Sequence, residues 1–288
     1  MLVVFSTMVA MMAYAEPATL AVEGLTTKHR DTRLEFSTVY TNLTSTQITT
    51  IPTQIPIGNG SFVSVPSLVS ESTGNSDTLI GIASIRYGVF PHTEIYGRYS
   101  GFTKQVRIQN KETGNSGVFN DQGVLEGWLG ITHTLSPDTT TPALLFFIEG
   151  AAYERNTQES SAFKSWATGI STYRTIDPIV LMLSASYGLY QERDDDGVIT
   201  NPGELLTLNP SFSFAVNDRI TISTGVQWLN KAETEINGVS QGQRLTSTNM
   251  ELGANLSTGA STIWGFSLTN VISGEGGANF KVKLSHHL

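Results

Sequence analysis

Residues Leu79 to Val89 read LIGIASIRYGV, and Glu94 to Gly101 read EIYGRYSG. Both alternate with a period of two, the repeat of an extended strand whose successive side chains point to opposite faces. In the first segment Leu79, Gly81, Ala83, Ile85, Tyr87 and Val89 share one face; Ile80, Ile82, Ser84, Arg86 and Gly88 share the other. In the second, Glu94, Tyr96, Arg98 and Ser100 lie opposite Ile95, Gly97, Tyr99 and Gly101. Between them Phe90-Pro91-His92-Thr93 makes a short turn, with Pro91 fixing φ. The unit is a hairpin with one charged face and one apolar or small face.

The same unit recurs along the chain. Segment 123–133 pairs with 143–153 across Ser136-Pro137-Asp138, and 163–173 pairs with 179–190 across Thr175 to Pro178. Segment 205–216 pairs with 220–231 across Asn217-Asp218, and 247–256 pairs with 262–271 across Ser257 to Ala260. A first strand at 33–42 and a last at 279–288 bring the total to twelve. Each has about the 9–11 residues that a tilted membrane strand requires. The five turns just described are short. The other connections, 43–78, 104–121, 154–162, 191–204, 232–246 and 272–278, are generally longer and rich in Asn, Gly, Ser and Thr. An even strand count with short turns at one end and long loops at the other predicts an all-β fold: a twelve-stranded antiparallel transmembrane β-barrel of the bacterial outer membrane. Both termini then fall on the short-turn, periplasmic side.

Composition agrees with this class. The chain has 288 residues, 17 basic and 25 acidic, with 15% charged and no cysteine. A net charge of −8 argues against gripping a nucleic-acid backbone. Lack of cysteine excludes a disulfide scaffold, thiolate catalysis and cysteine-ligated zinc. Residues 1–15, MLVVFSTMVAMMAYA, form an apolar stretch ending in an Ala13-Tyr14-Ala15 cleavage signature, and are expected to be a signal peptide. It has no basic residue after Met1, which points to a start further upstream. Residues 16–31 are expected to be a short N-terminal periplasmic segment and 32–288 the barrel. No later apolar run reaches the ~20 residues of a spanning helix.

Charges test the wall. Leu34, Phe36 and Tyr40, then Leu125, Leu129 and Ile131, then Leu144, Phe146 and Ile148 are expected to face lipid, with equivalents on the later strands. Glu35, Arg86, Glu94, Arg98, Glu126, Glu149, Glu251, Lys281 and Lys283 fall on the opposite parity and are the pore-lining candidates. Lys or Arg at lipid depth costs roughly 2–4 kcal/mol, which keeps charge on one parity. Segment 163–173 resists orientation, because Lys164 and Trp166 share a parity. Tyr40, Phe90, Tyr99, Tyr187, Trp228 and Trp264 sit near strand ends, where interfacial aromatic girdles belong. The charged faces have two readings: rings that tune a pore's selectivity, or ion pairs that brace the wall.

The hairpin Ser84-Ile85-Arg86-Tyr87-Gly88-Val89 with Glu94-Ile95-Tyr96-Gly97-Arg98, with the Leu34-Glu35-Phe36 strand and the Asp77-Thr78-Leu79 lead-in, resembles the outer-membrane family of meta-pathway phenol-degradation transporters. It bears a more distant resemblance to the export barrels of functional-amyloid systems. Specific residues match only within about 34–101; elsewhere the likeness is one of strand pattern. The resemblance implies a monomeric or homotrimeric outer-membrane channel for passive passage of small molecules, with hydrophobic or aromatic solutes as the substrate class. Outer-membrane lipid, lipopolysaccharide and a small-molecule solute are the expected partners, with no cofactor and no nucleic acid. Two alternatives stand beside it: a structural or adhesive barrel acting through its extracellular loops, and an export pore for a secreted fibre subunit.

Two further motifs were weighed. Glu192 to Gly197 followed by Glu204 resembles the opening of a calcium loop, against the simpler reading of a solvated acidic loop. None of His29, His92, His133, His286 and His287 forms H-E-x-x-H or lies beside a plausible nucleophilic serine. No catalytic or metal residues are therefore expected. The 43–78 loop, uncharged over TQITTIPTQIPIG, could serve adhesion or fold inward as a constriction.

Overall fold

The computed structural model describes residues 27–44, 47–56, 62–72, 75–109, 116–155, 160–195, 197–259, 261–273 and 277–288. Residues 1–26, which include the expected signal peptide 1–15, lie outside these. Twelve strands form the wall: β1 Thr32–Thr44, β2 Asn75–Phe90, β3 Thr93–Gln109, β4 Ser116–Ser136, β5 Ala143–Arg155 and β6 Ser165–Ile176. They continue as β7 Ile179–Tyr190, β8 Leu205–Ala215, β9 Ile220–Lys231, β10 Leu245–Ser257, β11 Thr262–Ser273 and β12 Ala278–His287. Each pairs antiparallel with its neighbour in sequence, and β1 pairs with β12. Closure leaves no unpaired wall edge, which is what a sheet in hydrocarbon requires.

Alternation sets the two faces. Phe36, Ile85, Leu129, Ile148, Leu183, Leu252 and Phe266 are each about half exposed on the outside, while the intervening side chains are buried inside. Strands β2, β3 and β4 have 16, 17 and 21 residues, longer than a membrane crossing needs. Much of the expected 104–121 loop is therefore extended wall.

Several features of the described wall depart from simple alternation, and three bear on the inner face. The sixth strand begins at Ser165, not Phe163, so Lys164 precedes it. Ser165, Ala167, Ser171 and Tyr173 then point inward, and Trp166 and Ile170 outward. This settles the strand that the sequence left unoriented. A bulge on β4 opposite Ser100 and Gly101 falls at Leu125, whose side chain lies outside the described residues. A second bulge, at Ala152, sets Gly127 opposite Tyr153 and Trp128 opposite Ala151. It reverses the parity of β5 beyond that point and turns Glu154 inward.

The long connections also hold structure. Strands Arg193–Asp195 and Val198–Asn201 form a hairpin, as do Thr234–Ile236 and Val239–Gln241, and the two join into one four-stranded sheet. The acidic segment from Glu192 enters the first of these hairpins, with Asp195 opposite Val198 and the Gly197 amide donating to Asp194 Oδ1; Asp196 lies outside the described residues. Among the described residues no cluster of three or more His, Asp or Glu could hold a metal. Within the 43–78 connection, strands Gln47–Pro56 and Phe62–Ser72 pair antiparallel as an inserted hairpin.

The outward face gives a direct test. Leu252→Arg, mid-strand on β10, should lower refolding stability in lipid vesicles by about 2–4 kcal/mol, whereas Asn230→Arg at the rim should cost under about 1 kcal/mol. Urea-unfolding midpoints report both. Equal effects would contradict the assigned membrane depth.

Candidate functional site

All nine candidates from the sequence, Glu35, Arg86, Glu94, Arg98, Glu126, Glu149, Glu251, Lys281 and Lys283, lie on the inner face and are buried. Most meet in a network on one half of the barrel. On β1, Glu35 receives Lys283 of β12 at 2.9 Å, Arg86 of β2 at 3.4 Å and its own strand's Arg33 at 3.5 Å. Glu94 of β3 pairs with Arg86, and with Arg33 at 3.6 Å. One register step along, Arg98 pairs with Glu149 at 2.7 Å and Glu126 at 3.6 Å, and the Tyr96 hydroxyl donates to Glu149 at 3.0 Å.

Aromatic rings join the two groups. The Arg86 guanidinium lies 4.7 Å from the Tyr96 ring centre, and the Arg98 guanidinium 4.7 Å from that of Trp128. Gly130 makes room for this stack: a Cβ there would run into the Tyr96 ring and Glu149. Opposite charges at such separations, away from bulk water, attract far more strongly than at a surface.

The network draws in residues that the sequence reading missed. The Thr27 amide and hydroxyl each donate to Glu94 at 2.8 Å, and the Arg30 amide bonds the Gly88 carbonyl. The end of the N-terminal segment is thereby fixed to the barrel. Arg193, from the loop sheet, binds Glu154 at 2.8 Å and Ser165 at 2.6 Å. Arg33 was legible, since it shares Glu35's parity. Thr27 and Arg193 carried no periodic signal, because they lie outside the wall strands. Glu251 and Lys281 stand apart, Glu251 accepting from Asn209 at 3.1 Å and attracting Lys281.

The inner face is not uniformly polar. Tyr96, Trp128, Leu145, Phe147, Val180 and Met182 belong to a buried apolar cluster on β3 to β7. Small polar groups are frequent elsewhere on the inner face: Ser184 and Ser186 on β7, Thr207 and Asn209 on β8, and Ser223 and Gln227 on β9, with Leu205, Leu229 and Lys231 among them. Outside, Gly97 and Gly150 leave notches between Ile85, Leu129 and Trp166, giving an apolar depression of about 590 Å³.

With this geometry in view, known proteins were compared. No family model and no curated protein matches the sequence. Solved structures do match. The COG4313 outer membrane channel from Pseudomonas putida F1 superposes with a TM-score of 0.68 at 13% identity, covering 96% of this chain and all 100% of that one. The transport unit of the autotransporter AIDA-I from Escherichia coli gives 0.52 at 8% identity over 91% of each chain. The translocator domain of the autotransporter NalP from Neisseria meningitidis gives 0.51 at 10% identity, over 92% of this chain and 91% of that one. The chain has the fold of these outer-membrane barrels. None of the three is an amyloid-export barrel.

The interior geometry favours bracing for Arg86. Arg86→Glu would set three carboxylates around one buried position and should cost about 3–5 kcal/mol, with Arg86→Lys recovering part of it. Thermal loss of the compact, heat-modifiable gel band measures this. A variant as stable as the parent but altered in ion selectivity would make Arg86 a pore charge instead of a strut.

Proposed function

We propose that the protein is a channel of the bacterial outer membrane through which small molecules pass down their gradient. The observation that carries this reading is the closed twelve-stranded wall, apolar outside and lined inside by polar, charged and aromatic groups. Such a wall is stable only with lipid around it. The match over 96% of this chain and all of the other to a structure described as an outer membrane channel supports the same reading. The apolar inner cluster with Tyr96, Trp128 and Phe147 supports hydrophobic or aromatic solutes as the class carried.

In this reading residues 1–15 direct export and are removed. The barrel sits among outer-membrane lipid and lipopolysaccharide as a monomer or homotrimer. The charged candidates line the inner face mainly as braces. The reading assigns no catalytic role, and His133 and His286 are hydrogen-bonded to Thr93 and Thr262. A second reading, adhesion, has one observation in its favour. The loop sheet exposes Val198, Ile199, Ile236 and Val239.

Liposome swelling separates the two. Vesicles holding the refolded barrel should take up a small uncharged aromatic alcohol faster than protein-free vesicles. No excess uptake by a barrel that shows heat-modifiable mobility would remove the channel reading and leave the loops as the functional surface.

A further inference from the structure

The inserted hairpin 47–72 leaves the wall between β1 and β2, yet its strand Phe62–Ser72 lies against β6, β7 and β8. In the closed order β7 stands six strands from β1 in either direction, on the opposite wall. A segment rooted at β1 reaches that wall only across the lumen. The inward side chains there are covered accordingly: Ser171 is 1% exposed, Ser184 2%, Thr207 1% and Ser213 1%.

The two halves of the lumen differ in how firmly they are held. Around β1 to β5 and β12 the inner side chains are cross-linked by ion pairs. On the opposite wall Ser171 Oγ, Thr207 Oγ1 and Ser213 Oγ meet no hydrogen-bond partner. Moving the braced half strips partners from buried charges, whereas the hydroxyls of Ser171, Thr207 and Ser213 gain partners when water reaches them.

Charge points the same way. Residues 47–72 hold one ionisable side chain, Glu71. The facing wall of β6 to β8 offers the hydroxyls of Ser171, Ser184, Thr207 and Ser213 and the amide of Asn209, beside Ala167, Val180 and Met182 of the apolar cluster, and carries no buried carboxylate among the described residues. A boundary of this chemistry disfavours a bare ion, which loses hydration without gaining a partner, and admits an uncharged solute able to exchange a few hydrogen bonds.

Resting on the channel reading, we infer that the hairpin 47–72 is the selectivity element. It divides the lumen, and solute crosses along its boundary with the hydroxyl-lined wall of β6 to β8. Uncharged small molecules are the class admitted. The ion-paired half is scaffold.

Excision tests this cleanly, because Thr44 and Asn75 already face each other at the end of the β1–β2 ladder. A two-residue Asn-Gly link in place of 45–74 should therefore close the wall. In planar bilayers with potassium chloride, the excised barrel should conduct at least ~5-fold more than the full chain. The chain has no native cysteine, so Ser184→Cys reports access to the covered wall. A charged methanethiosulfonate reagent should label it at least ~10-fold faster after excision, since burial governs thiol access. Unchanged conductance and labelling would overturn the inference.

Full-length variants guard against a folding failure. Ser64→Asp and Val65→Asp are adjacent positions of the hairpin strand and so test both parities. At least one should shift the potassium-to-chloride permeability ratio by ~3-fold, as charges at a constriction do. No shift from either would overturn the inference. Full-chain uptake of the aromatic alcohol, unaltered by excision, would leave the channel standing and take the hairpin out of its mechanism.

Discussion

Charge enclosed within the wall is the constraint on which the rest of the structure depends. Arg33, Arg86, Arg98, Arg193 and Lys283 are set against Glu35, Glu94, Glu126, Glu149 and Glu154. An ion taken from water without a partner costs several kcal/mol, so each of these ten must find its counterpart before the barrel is stable. That requirement selects the register. A slip by one residue would turn Arg86, Glu94, Arg98 and Glu149 onto lipid at once. The pair Lys283–Glu35 spans the seam where the last strand meets the first, and ties closure of the barrel to the same network.

A braced half and an unbraced half follow from this distribution. Five cations against five carboxylates leave little net field, which suits scaffolding better than ion selection. The opposite wall of serine, threonine and amide side chains can exchange partners with water or solute at low cost. The apolar cluster around Trp128 and Phe147 adds packing of about 1.5–3 kcal/mol for each large side chain buried. The ion-paired strands and the hydroxyl-bearing strands are thereby different parts of one closed sheet.

Much of this was legible in the chain because a strand has a period of two and lipid punishes charge. All twelve strands and the inward placement of nine charged residues follow from those two facts. What escaped did so for physical reasons. The bulge at Ala152 reverses parity, so strict alternation from Glu149 sends Glu154 the wrong way. Ala143 to Ile148 is apolar on both faces, so although the parity set by Glu149 turns Leu145 and Phe147 inward, nothing in the strand shows that they join an apolar cluster with residues of β3, β4, β6 and β7. The loop sheet joins 193–201 to 234–241, a pairing between segments that periodicity within either cannot reveal. Segment 192–197 was read from composition alone, which gives no sign that Arg193 to Asp195 pair with Val198 to Thr200.

The central claim is that paired interior charge holds the wall. A double-mutant cycle on Arg98→Met and Glu149→Leu, read from unfolding free energies of the refolded barrel in vesicles, tests it most directly. The account predicts that each single change is strongly destabilising and that the double variant recovers a coupling of about 1–3 kcal/mol. Additive losses, with coupling below about 0.5 kcal/mol, would contradict it.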